Sequence, residues 1–201
     1  ISNLMLTIAQ NSKVTAEDFQ SCVRVSEENK ISYIPSDINL ANAETYLMNA
    51  LSRETVLKRI LKAEFLTDTD YVIIDCLPSL GTLLINALTA SDKVLIPVQA
   101  QKFAYDGLKS LMNICEQIKE TINKNLEIAG ILPTMVDSTN MSRNTVEMLG
   151  NEYGSKVFQT MIHRSVSAAN STEKQRSLCL NKSKLGEEYK ALADELIGRC
   201  G

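Results

Sequence analysis

Tyr71-Val72-Ile73-Ile74-Asp75-Cys76-Leu77-Pro78-Ser79-Leu80-Gly81 is the stretch on which the fold assignment turns. Its run of apolar residues predicts a strand buried on both faces, as in a parallel sheet held between helices. The run ends in a carboxylate, and Pro78 and Gly81 then predict a turn leading into an apolar helix around Leu83 to Leu88. An aspartate in that place can hold Mg²⁺ through its water shell beside a triphosphate. It can equally cap the helix that follows, and the pattern alone leaves the two readings level.

Working outward, Val94-Leu95-Ile96-Pro97-Val98 predicts the next buried strand. Leu108, Leu111, Met112, Cys115, Ile118 and Ile122 recur at helical spacing behind it. Residues 128–136 predict a further strand, Val146, Leu149 and Tyr153 a helix, and residues 157–162 a last strand. Leu185, Tyr189, Leu192, Leu196 and Ile197 mark one face of a closing helix. Upstream, residues 1–10 predict a helix, and Thr15 with Asp18 three residues on has the form of a capping box. Residues 31–34 alternate and stop at Pro35, which predicts a short strand. An apolar stripe over residues 43–65 predicts one long helix, or two with a break near Ser52.

Short strands alternating with longer helices define an α/β fold, a parallel β-sheet with helices on both faces. Such sheets bind ligands beyond the carboxyl ends of their strands. The segments to weigh are therefore 75–81, 99–105, 134–140 and 163–172. With no internal repeat or linker in the sequence, residues 1–201 read as one domain.

Composition narrows the function classes. The 201 residues are 44% hydrophobic and 22% charged, without tryptophan and without an apolar run long enough to span a bilayer. Five scattered cysteines show no zinc or redox spacing, which predicts reduced thiols in a cytosol. The net charge of −3 is uneven: residues 1–155 carry −6 and residues 156–201 carry +3. An anionic partner would meet the C-terminal quarter; a solvated basic face is the plainer reading of charge alone.

Four segments taken together resemble one family. Residues 71–81 resemble the Y-x-x-I-I-D-x-P-P-S-L-G switch segment of the ParA/Soj partition ATPases, which are deviant P-loop NTPases. Residues 86–92 (NALTASD) and 94–99 (VLIPVQ) match that family's next helix and strand. Residues 130–137 (GILPTMVD) are similar to its G-x-L-x-T-M-x-D segment, and residues 33–41 (YIPSDINLA) to its I-P-S/A-x-x-x-L-A motif. The resemblance runs in order from about Ile31 to Ile197.

The resemblance implies a cytoplasmic, nucleoid-associated ATPase that partitions chromosomes or plasmids. ATP and Mg²⁺ would be its cofactors, with Asp75 organising the metal. Pro78, Ser79 and Gly81 would form a switch responding to the γ-phosphate. Thr134, Met135 and Asp137, together with His163, Arg164, Ser165 and Val166, would border the adenine. Members dimerise around ATP, bind DNA without sequence preference and respond to a ParB-type partner. Arg164, Lys174, Arg176, Lys182 and Lys184 then become the expected DNA-binding residues, on loops near where the family contacts DNA.

Departures from the family pattern are informative. Its P-P-S reads Leu77-Pro78-Ser79, which leaves the turn intact. Its P-R-N-V-x-x-x-E-A-P loop reads HRSVSAANST over residues 163–172, so that His163 stands where the family has proline and Ser167 where many members carry a basic residue. The phosphate loop K-G-G-x-G-K-[ST] and the D-x-D-P-Q-G segment with the catalytic aspartate do not occur in the sequence, so no catalytic residue is assigned. Of the eight glycines no two are adjacent or separated by one residue, so the glycine-rich loop whose backbone N–H groups cradle phosphates in that family has no counterpart in this sequence. The chain opens on Ile1 in an apolar stretch, which leads us to expect that it starts roughly one β-α-β unit, on the order of forty residues, into the family's domain.

Two alternatives stay open at this point: a degenerate, non-catalytic relative that keeps the fold for docking, and a MinD-like positioning ATPase. The second needs a basic amphipathic C-terminal helix, whereas residues 186–199 are acidic on the polar face, so no membrane partner is expected. The absence of G-x-G-x-x-G disfavours a metabolic dinucleotide enzyme. With strands that should be interior left as edges, the isolated chain is expected to be poorly soluble or oligomeric and not to bind ATP. Sedimentation and nucleotide titration check this, and a monodisperse monomer binding ATP at micromolar concentration contradicts it.

Overall fold

The computed structural model describes residues 1–77, 79–101, 104–180 and 182–201. Its contacts divide the chain into two units, one of residues 1–92 with 117–126, the other of residues 93–116 with 127–201.

The first unit is mostly short helices. α1 (Ser2–Ala9) leads to α2 (Ala16–Cys22), whose start is the expected reciprocal capping box. The Asp18 N–H donates to Thr15 Oγ1 at 3.1 Å, and the Thr15 N–H donates to the Asp18 carboxylate at 2.9 Å. These Thr15 donors hold the Asp18 carboxyl below its ordinary range. β1 (Arg24–Ser26) and β2 (Ile31–Tyr33) form an antiparallel hairpin with Arg24 opposite Tyr33. α3 (Ala43–Leu47) and α4 (Val56–Ile60) are separated by a break in which Ser52 adopts φ 51, so the stripe over residues 43–65 is two helices. α5 (Thr82–Ala90) follows. Leu4, Met5, Ile8, Val14, Phe19, Leu47, Val56 and Ile60 form the core. Asn86, fully buried, accepts from the Leu57 N–H at 3.0 Å and donates to the carbonyls of Arg53 at 2.8 Å and Thr82 at 2.9 Å.

One expectation is corrected here. Residues 71–74 form no strand: the segment pairs with no other among the described residues, and Ile73 is 88% exposed. An apolar run becomes a buried strand only when neighbours on both sides accept from its N–H groups and donate to its C=O groups. The parallel sheet among the described residues is made without it.

The second unit is a three-layer α/β/α arrangement. β3 (Lys93–Gln99), β4 (Glu127–Val136) and β5 (Ile162–His163) lie parallel in that spatial order. α6 (Ala104–Thr121) ends in the first unit's share of the chain; α7 (Asn140–Tyr153), α8 (Val166–Lys174) and α9 (Lys184–Cys200) belong to this one. Adjacent residues of a strand face opposite ways, and β4 uses both faces. Ile131 packs with Ile96, Val98, Leu108 and Leu149 under α6 and α7. Leu132 packs with Phe158, Ile162, Leu185 and Leu192 under α9.

The last strand is shorter than the apolar run over residues 157–162 predicts. Only Ile162 and His163 pair continuously, with a single bridge between Val157 and Ile131. α9 supplies the reason. The Glu195 carboxylate accepts from the N–H groups of Gln159 at 3.0 Å and Thr160 at 2.8 Å, which therefore face a side chain instead of a strand. Arg199, paired with Glu195 at 2.8 Å, donates to the carbonyls of Val157 at 2.9 Å, Ser155 at 3.1 Å and Ala129 at 3.2 Å. Its guanidinium lies 4.0 Å from the centre of the Phe158 ring. Gly130 makes room for this packing, because a Cβ there would stand 2.5 Å from the Phe158 ring and 2.7 Å from the Lys156 carbonyl.

Partial burial raises the Glu195 carboxyl, but the N–H groups of Thr160 and Gln159, the Thr160 side chain and Arg199 outweigh it and hold the group at about 2. A carboxyl lowered on folding stabilises the native state fully above its ordinary value of 4.5, and that contribution fades as pH falls toward about 2. Glu195→Gln is therefore expected to lower stability at neutral pH and to flatten the stability profile through that acidic window. Superimposable urea-melt profiles for variant and wild type would contradict this.

Candidate functional site

Parallel strands place their carboxyl ends on one side of the sheet. In the second unit these ends are extended by one backbone bond each: the Ala100 N–H donates to the Thr134 carbonyl at 2.9 Å, and the Arg164 N–H donates to the Val136 carbonyl at 3.0 Å. Between them β4 is irregular. Thr134 pairs with Ile162 and Val136 with His163, so Met135 is the extra residue of a bulge, with φ 54. A bulge re-aims the side chain it carries. Here the 41%-exposed Met135 joins Arg164, Ser165, Val166, Ala168 and Ala169 around a cavity of about 510 Å³.

The loops on either side are fixed locally. Asp137 accepts at Oδ1 from the Thr139 hydroxyl at 2.5 Å and the Thr139 N–H at 2.9 Å. The Thr139 side chain, then its backbone, then the charge of Arg164 hold the Asp137 carboxyl below its usual range. Thr139 in turn caps α7 by accepting from the Ser142 N–H at 3.2 Å. Ser165 caps α8 by accepting from the Ser167 N–H at 3.2 Å. His163 donates its backbone N–H and Nδ1–H to Glu188 of α9, each at 2.9 Å.

The expected nucleotide residues are thus sorted. Met135, Arg164, Ser165 and Val166 line one cavity. Thr134 is engaged through its carbonyl, Asp137 through Thr139, and His163 through Glu188. Ala168 and Ala169 complete the wall from α8, a helix that the sequence had suggested was a loop; its Ala, Ser, Thr and Asn side chains carry no apolar stripe to announce it. Glu188 left no linear signal either. A second recess of about 400 Å³ runs along β3 and α6, with Ile96, Val98, Leu108, Leu111, Gln99 and Gln101 among its lining residues and no titratable group among the described ones.

In the first unit Asp75 is exposed and follows the unpaired run, which corrects its expected place at the end of a buried strand. Gly81 is the N-cap residue before α5, and a Cβ there would collide with the Glu44 carboxylate. Ser79 is exposed, and Pro78 lies outside the described residues. Among the described residues no group of three or more His, Cys, Asp or Glu side chains could enclose a metal. Asp75 therefore suits Mg²⁺ only as a lone carboxylate acting with water and phosphate oxygens, a mode that ion accepts.

The expected DNA-binding residues all lie in the second unit, and all are exposed. Lys174 is the last residue of α8 and Lys184 the first of α9, so these two sit on helix ends, a correction to their expected loops. Among the described residues no helix is long and apolar enough to cross a membrane.

A parallel sheet covered on both faces, with an open recess at its carboxyl ends, is the architecture of the α/β proteins that bind ligands at that edge. A family model described as an AAA domain matches residues 2–128. The chain is 38% identical over 182 residues to the sporulation initiation inhibitor protein Soj of Bacillus subtilis, spanning 89% of this chain and 72% of that protein. It is 37% identical to the chromosome partitioning protein ParA of Myxococcus xanthus, over 90% of this chain and 64% of the relative. Its fold superposes with a TM-score of 0.77 and 30% identity on a Mycobacterium smegmatis cobyrinic acid a,c-diamide synthase crystallised with ADP and magnesium, covering 98% of this chain and 70% of that one. The chain belongs to the ParA/Soj family of partitioning proteins, within the P-loop NTPase fold.

A left-handed backbone opposes a side chain by about 1–2 kcal/mol, which glycine escapes. Met135→Gly is accordingly expected to leave stability unchanged or raised by up to about 1 kcal/mol. A loss beyond about 2 kcal/mol, the scale of ordinary core damage, would show that position 135 is not strained.

Proposed function

We propose that this chain is the larger part of an ATP-dependent DNA-partitioning switch. The observation that carries the reading is the cavity at the ends of β4 and β5, lined by Met135, Arg164, Ser165 and Val166, in a chain whose relatives are partitioning proteins. The adenine base enters that cavity. Met135 and Val166 offer it polarizable and apolar walls, and the Arg164 guanidinium offers a planar cation able to stack on it. Thr134, Asp137 and His163 hold the rim. Residues 1–201 belong to one nucleotide-binding domain.

Bound Mg²⁺ would neutralise phosphate charge, with Asp75 orienting its water shell. Pro78, Ser79 and Gly81 carry the switch between nucleotide states. The phosphate cradle is not formed by the residues of this chain, so no hydrolytic step is assigned to them. In the protein that carries this chain, ATP drives dimerisation, the dimer holds DNA without sequence preference, and a ParB-type partner triggers release.

DNA contact falls to Arg164, Lys174, Arg176, Lys182 and Lys184, in the part of the chain that carries net positive charge. Each phosphate contact contributes about 0.9 to the slope of log affinity against log salt. Reversing Lys174, Arg176 and Lys182 to Glu is expected to abolish binding to random-sequence duplex DNA in an anisotropy titration of the ATP-bound protein, with ATP binding spared. Unchanged DNA affinity at low salt would rule out this surface.

A further inference from the structure

His163 is the last residue of β5 and the hinge from which the cavity wall leaves the sheet. It is held from one direction through its neighbour, whose N–H donates to the Val136 carbonyl at 3.0 Å. From the other direction Glu188 accepts from His163 twice, from the backbone N–H at 2.9 Å and from Nδ1–H at 2.9 Å. The Glu188 side chain is only 14% exposed, and a carboxylate shielded in this way makes shorter, stronger hydrogen bonds than a neutral acceptor. Two bonds from one carboxylate to one residue fix its position and its orientation together.

The sequence gives this pair a context. In the P-R-N-V pattern the place of His163 is taken by proline, which fixes its own φ and has no N–H to satisfy. Histidine lacks that restraint and brings an N–H that needs a partner. Glu188 supplies both the partner and the restraint.

We propose that Glu188 is a positioning residue of the cavity, acting through His163 to set the residues 164–166 that wall it. Glu188 does not line the cavity; its influence passes through His163. The consequence for ligand binding rests on the reading that an adenine base occupies this cavity, whereas the restraint on residues 164–166 does not.

The test is a two-residue cycle: Glu188→Ala, His163→Pro and the double variant. Both readouts are taken on the protein that carries this chain: amide hydrogen exchange over residues 164–168, with β4 as an internal reference, and adenosine binding by calorimetry. Losing a charged hydrogen-bond partner should speed exchange over residues 164–168 by about tenfold or more while β4 is unaffected. Adenosine should weaken by a similar factor. His163→Pro sets its own baseline, and adding Glu188→Ala to it should change neither readout, because the proline no longer needs the carboxylate. If the proline variant does not fold, Glu188→Gln, which keeps an acceptor for the backbone N–H, should fall between wild type and Glu188→Ala in both readouts. Equal acceleration across β4, no acceleration at residues 164–168, or a full Glu188→Ala effect in the proline background would each overturn the proposal. Absence of adenosine binding to wild type would instead refute the base-cavity reading, with the exchange rates still deciding the role of Glu188.

Discussion

The backbone of residues 155–163 has to find hydrogen-bond partners without a neighbouring strand, among the described residues, on its outer side, and α9 provides them. Buried N–H and C=O groups are almost always paired, and here the pairing is done by side chains. Glu195 takes two N–H groups, Glu188 a third, and Arg199 gathers carbonyls from Ser155 to Val157. Glu188 and Glu195 stand seven residues apart, which puts them on one face of the helix, and Arg199 follows Glu195 at the i+4 spacing. One helix face thereby acts as a surrogate strand. It covers an edge that would otherwise offer itself to other chains, and it fixes the point from which the cavity wall departs.

β4 is the other half of the construction. It contributes Ile131 to one core and Leu132 to the other, so both helical layers of its unit are organised around a single strand. It also departs from regularity twice, between its pairings near Leu95 and at Met135. The first irregularity lies beside Gly130, where Phe158 and Arg199 press close. The second turns Met135 toward the cavity. Packing on one side and ligand access on the other are therefore written into deviations from the ideal ladder.

Much of this was legible in the sequence where a local rule was sufficient. Thr15 and Asp18 announced their capping box three residues apart, and the stripes of α6 and α9 announced amphipathic helices. β3 and β4 followed from uninterrupted apolar runs. What escaped were features decided by partners distant along the chain. Residues 71–74 have the composition of a buried strand, but pairing is a property of neighbours and not of the run itself. Residues 157–162 shrank to a short strand because the N–H groups of Gln159 and Thr160 meet Glu195 and not a ladder. α8 has no apolar periodicity to show, and neither the bulge at Met135 nor the grip of Glu188 on His163 leaves a mark in spacing. The motif residues of the candidate site were proposed by resemblance; that Met135, Arg164, Ser165 and Val166 meet around one recess is a tertiary fact.

The most direct measurement of the central claim is photolabelling of the protein that carries this chain with 2-azidoadenosine, followed by peptide mapping and competition. The account predicts label on Met135 or within residues 164–169, displaced by unlabelled adenosine and not by a pyrimidine nucleoside. Label spread elsewhere, or label that adenosine fails to displace, would contradict a base-binding cavity at the ends of β4 and β5.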